Sequence, residues 1–225
     1  MCGVVPAAAQ QVVGYGSAEA GGAGSSLFLL GASLSPGGVG IQPVAGAQVY
    51  HLNYPVGGGS TASNNVFAAS LGLKNQSTVG AVQGSVGYAW VSSSANAPVT
   101  VGTFPIPAQS KNGVFATAQA DYWGTGEHTA QAIGSWNFAN NFLWTRVRGA
   151  QRIGDVSSPV SVGAEAGVLG GGNSGATSWG FFVGPTLGLK VSQQLRLTGA
   201  AGYRAETSPR SFGTGYGKID FVFVP

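Results

Sequence analysis

Charge is what this sequence has least of. Only 8% of its 225 residues are Asp, Glu, Lys or Arg, where a soluble domain carries about 25%. An ordinary water-facing surface is therefore excluded. Long apolar runs are also missing. A membrane-spanning helix needs about 18 consecutive apolar residues, yet even the stretch from Val160 to Leu169 is broken by Ser161, Gly163 and Glu165. Cysteine occurs once, at Cys2, which removes internal disulfides and cysteine-built metal centres. The two histidines, His51 and His128, are too few for a metal cluster. Basic runs are absent too, so the formal charge of +3 gives a nucleic-acid partner no support.

What is present is glycine, 39 residues of it, with 44% apolar residues, 10% aromatics and a mean hydropathy of +0.18. Aromatics at that frequency argue against disorder. Few apolar residues in a row, little charge and much alternation together point to a membrane barrel, in which every second side chain meets lipid and the rest face a polar interior.

The alternation can be followed residue by residue. Phe28, Leu30, Ala32 and Leu34 share one face; Ala69, Leu71 and Leu73 oppose Ser70, Gly72 and Lys74. Val82, Val86, Tyr88 and Trp90 oppose Gln83, Ser85 and Gly87, and Leu143, Val147 and Ile153 oppose Arg146, Arg148 and Arg152. Leu195, Leu197 and Tyr203 oppose Arg196, Thr198 and Arg204; Ile219, Phe221 and Phe223 oppose Lys218 and Asp220. Period two of this kind predicts strands over residues 10–20, 26–34, 39–53, 62–74, 77–92, 112–123, 126–139, 142–153, 157–168, 176–191, 194–204 and 213–224.

The fold class expected is all-β: a closed, antiparallel, up-and-down transmembrane β-barrel of about twelve strands, with about ten as the fallback. Residues 10–225 form that single domain, and Ala7-Ala8-Ala9 reads as the remnant of an export-signal cleavage site ending at residue 9. Tight turns are expected at 35–38, 75–76, 124–125, 154 and 192–193, and longer links at 54–61, 93–111, 169–175 and 205–212. Such sorting places both termini in the periplasm of a bacterial outer membrane, with Asn140-Asn141 as the one short exception. Tyr88, Trp90, Tyr122, Trp123, Trp136 and Trp144 suit the aromatic girdles found where a barrel wall meets lipid headgroups.

Candidate functional residues are the inward charges: Arg146, Arg148, Arg152, Glu127, Glu165, Asp121, Arg196 and Arg204. Arginine facing lipid costs about 2–4 kcal/mol at the midplane, so these belong in the lumen. Hairpin arithmetic sets Arg146 opposite Glu165, and Arg152 beside Thr129 and near Glu127. Two readings fit: a structural ion-pair network, favoured by near balance of sign, or an arginine track that guides anionic oligosaccharides. No catalytic constellation is found. Neither His51-Leu52-Asn53 nor His128-Thr129-Ala130 supplies a His-x-Ser element, and no cofactor is implied.

From Ala118 to Arg152 the chain reads AQADYWGTGEHTAQAIGSWNFANNFLWTRVRGAQR. Tyr122-Trp123-Gly124-Thr125-Gly126, Gln131-Ala132 and Trp144-Thr145-Arg146-Val147-Arg148, with the later stretch from Val162 to Gly170, resemble the cellulose biosynthesis protein BcsS family of outer-membrane-type barrels. The resemblance covers about a third of the chain. It implies a non-enzymatic accessory role in cellulose or exopolysaccharide secretion, with polysaccharide or secretion proteins as partners beside the lipid. A narrow oligosaccharide or anion channel and a soluble secreted β-protein or adhesin remain the alternatives.

Overall fold

Small and large side chains that alternate along a strand can be buried on one face only, and a sheet closed on itself gives all its strands that one-sided burial with no free edge. The chain does this. The computed structural model describes residues 10–21, 26–57, 60–95, 100–101, 104–105, 112–124, 126–138, 141–155, 157–171, 178–207 and 212–225. Its strands are β1 (Gln10–Gly21), β2 (Ser26–Pro36), β3 (Gly40–Gly57), β4 (Ser60–Gln76), β5 (Gly80–Ala95), β6 (Thr100–Val101), β7 (Phe104–Pro105), β8 (Gly113–Tyr122), β9 (His128–Asn137), β10 (Phe142–Arg152), β11 (Val160–Gly171), β12 (Ser178–Lys190), β13 (Leu195–Thr207) and β14 (Phe212–Phe223).

Twelve of them close an antiparallel barrel in sequence order, with β14 pairing β1 to shut it. The short β6–β7 pair lies within the link between β5 and β8. All twelve expected segments are found, each displaced by a few residues at its ends. The expected export remnant, residues 1–9, lies outside the described residues.

Loop lengths differ from expectation at one end. Strand reaches into the links foreseen at 54–61, 169–175 and 205–212, since β3 runs to Gly57, β4 starts at Ser60, and β11 and β13 reach Gly171 and Thr207. Pro55 lies in the first of these. A proline has no N–H for the ladder, and here the β3–β4 register shifts between Pro55 and Gly57, where a bulge absorbs it. At the other end the links are tight: Gly38 and Gly40 take positive φ between β2 and β3, where only glycine sits without strain. Between β10 and β11, Asp155 Oδ1 accepts from the Ser157 N–H (2.8 Å) and hydroxyl (2.5 Å), which holds its carboxyl below the usual range.

Outward positions carry the large apolar side chains. Leu71, Leu73, Val86, Leu187, Ile219 and Phe181 are exposed. The interior is not purely polar, as the composition suggested it would be. One inward cluster joins Val66, Ala68, Ala89, Val91 and Phe115, with Tyr50 packed on it; a second joins Phe182, Ala200 and Tyr216 with Leu169. The second depends on glycine. The Phe182 ring lies over Gly167, its cross-strand neighbour, where an added Cβ would sit 2.3 Å from the ring.

Candidate functional site

The charged side chains converge because strand parity leaves them no other direction. On β10, Trp144, Arg146 and Arg148 share the inward face; on β11, Glu165 does; on β14, Tyr216, Lys218 and Asp220 do. β10 lies four strands from β14 along the wall, yet their side chains meet. Arg146 Nη1 donates to Asp220 Oδ2 at 2.9 Å, and Arg148 Nη2 bonds the same oxygen. Arg148 also holds Glu165 Oε2 at 2.8 Å. The other oxygen of Glu165 takes Lys218 Nζ at 2.6 Å and the Tyr216 hydroxyl at 3.1 Å. Lys218 stands 5.5 Å from the centre of the Phe182 ring.

Glu165 has a side-chain exposure of 0%. A buried carboxylate survives as an ion only with partners on its oxygens, and here both have them. The network extends sideways: Arg146 Nη2 donates to Gln131 (2.7 Å), Gln131 donates to Asp121 (2.9 Å), and Gln119 donates to the other oxygen of Asp121 (2.6 Å). A separate tie joins Arg204 to Glu19 at 3.1 Å.

Several expected placements shift. Arg146 stands opposite Gly167 and Ile133, and it is Arg148 that faces Glu165. The β10–β11 turn is centred one residue later than the sequence suggested, which moves each pair by two positions and so preserves the face. Arg152 lies opposite Glu127, its N–H on the Glu127 carbonyl at 2.8 Å, and Thr129 faces Ala150 instead. Arg152, Glu127 and Arg196 sit at the barrel end that carries the termini, away from the network; Arg196 faces Lys190 across β12–β13.

The aromatics divide. Tyr88, Trp90, Tyr122 and Trp136 are outward and exposed, with Trp90 5.0 Å from Tyr88 and 5.3 Å from Phe67 by ring centres. Trp123 occupies a turn, its indole N–H on the Thr78 carbonyl at 2.9 Å. Trp144 is not a girdle residue. It points inward, with the Arg146 guanidinium 5.7 Å from its ring centre.

The residues the sequence did not single out for the site are Lys218, Tyr216, Gln131 and Glu19; Asp220 enters there only as one of the inward carboxylates balancing the arginines. Their signal was present for β14, where Lys218 and Asp220 alternate with Ile219 and Phe221, but nothing local tells which distant strand they meet.

No family model and no curated protein matches the chain. Among solved structures, an outer membrane channel from Pseudomonas putida F1 is similar over 99% of this chain and 97% of that one, at 11% identity and a TM-score of 0.52. The β domain of the Bordetella autotransporter BrkA is similar over 95% and 98%, at 11% identity and a TM-score of 0.51. The likeness shows the fold, an outer-membrane-type β-barrel.

Proposed function

We propose that this protein is a non-enzymatic barrel of a bacterial outer membrane, with both termini periplasmic, accessory to the secretion of cellulose or a related exopolysaccharide. One observation carries the membrane part. Among the described residues, every charged side chain on a barrel strand occupies an inward register position, while mid-height outward positions are apolar or small. Lipid demands that sorting, because a charge facing it costs about 2–4 kcal/mol. A soluble secreted barrel would have the opposite need. The polysaccharide part rests on the resemblance in residues 118–152 and 162–170. A narrow solute channel is the second reading, favoured by inward Gln48, Ser70, Gln83 and Ser85, which give the wall away from the network an uncharged polar lining.

The membrane part is tested by folding the full chain into detergent and comparing gel mobility with and without boiling. A compact, heat-modifiable band is expected; a chain that dissolves without detergent and shows no shift overturns it. Deletion of the gene followed by dye-binding measurement of secreted cellulose tests the rest, and unchanged cellulose output rejects the accessory role.

A further inference from the structure

We infer that Asp220 sets both the bore and the charge selectivity of the lumen, by gathering Arg146, Arg148 and Lys218 onto one carboxylate. The inference rests on the membrane-barrel reading above. Asp220 comes from β14 and both arginines from β10, four strands away. In a round barrel of twelve strands, spaced about 4.8 Å and tilted about 40°, positions that far apart would be about 20 Å across. An arginine and an aspartate joined end to end reach only about 13 Å between Cα atoms. The contact at 2.9 Å therefore draws the wall inward, and it lays two guanidinium groups across the lumen rather than along it.

Charge arithmetic gives the second half. Arg146, Arg148 and Lys218 meet two carboxylates, Asp220 and Glu165. Glu165 is already held by Arg148, Lys218 and Tyr216. Without the Asp220 charge, the amide oxygen left in Asp220→Asn is a weaker acceptor. Among the described residues Arg146 keeps its hydrogen bond to Gln131 and the Trp144 ring, both on its own side of the barrel. It then folds back toward β10, the bore widens, and three cations face one carboxylate. Fixed positive charge in a lumen selects anions, so the solutes admitted are small inorganic and organic anions.

The experiment is single-channel recording of the full chain in planar bilayers under a potassium chloride gradient, with potassium gluconate as a second probe. Asp220→Asn is expected to raise unit conductance at least about twofold and to move the reversal potential toward that of chloride. Asp155→Asn makes the same charge change at the exposed β10–β11 turn, outside the lumen, and is expected to leave selectivity near wild type. Arg146→Gln removes the arm instead of the hub, and is expected to raise conductance without added anion preference. Equal selectivity shifts in Asp220→Asn and Asp155→Asn overturn the inference, since net charge alone would then be acting. If Asp220→Asn does not fold, Arg146→Gln decides: raised conductance supports the strut, and unchanged conductance rejects it. A wild-type chain that never inserts into lipid fails the membrane reading instead.

Discussion

Glu165 is the residue on which interior chemistry depends most directly. Its buried carboxylate is answered by Arg148, Lys218 and Tyr216. Removing one partner of a buried pair leaves an uncompensated charge and costs about 3–5 kcal/mol, whereas removing both can be far milder. Glu165→Gln and Arg148→Leu should each destabilise strongly, with the double variant losing less than their sum, as read from a double-mutant cycle of reversible unfolding in lipid. Additive losses would show that the two side chains do not act as a pair. The shared face of these residues was legible in the sequence, because parity survives a turn shifted by one residue. Their partners were not: a register error of two positions exchanged Arg146 for Arg148, and Asp220 arrives from 72 to 74 residues away.

At the scale of strands, period-two alternation was enough to find all twelve, since each sets apolar side chains on its outward face. Strand ends were harder to read where proline and glycine, as at Pro55 and Gly57, sit inside a bulged strand rather than a turn. Facing is directly testable on β4. Leu71 is 72% exposed on the outer surface, and Ser70 points inward beside Gly46. Leu71→Arg should impair insertion by about 2–4 kcal/mol if it lies near the midplane, and Ser70→Arg by clearly less. The readout is unfolding free energy in lipid; equal losses would reject this facing. Trp144 shows the limit of pattern reading, because an aromatic near a strand end suits a girdle until the parity it shares with Arg146 is taken into account.

For the whole molecule, closure between β1 and β14 defines the unit that folds, and β1 begins at Gln10. A chain shortened to start at Gln10 should therefore give the same heat-modifiable band as the full chain. Loss of that band would assign residues 1–9 a part in the barrel and remove the export-remnant reading. Two apolar clusters and a cross-lumen network share the interior.

β14 both shuts the ring and carries Tyr216, Lys218 and Asp220. That coincidence ties closure of the ring to the filling of its interior. Strands β9 to β11 make their own contacts, Arg148 with Glu165 and Arg146 with Gln131, but the Asp220 carboxylate that both arginines share comes only from β14. Bringing Asp220 to Arg146 closes a loop of 74 residues, an entropic cost met only once the neighbouring strands are aligned. Sealing the ring and neutralising its interior thus arrive together, with the end of the chain. In a wall without β14, the two arginines would be left, among the described residues, with one carboxylate, Glu165, and one amide, Gln131.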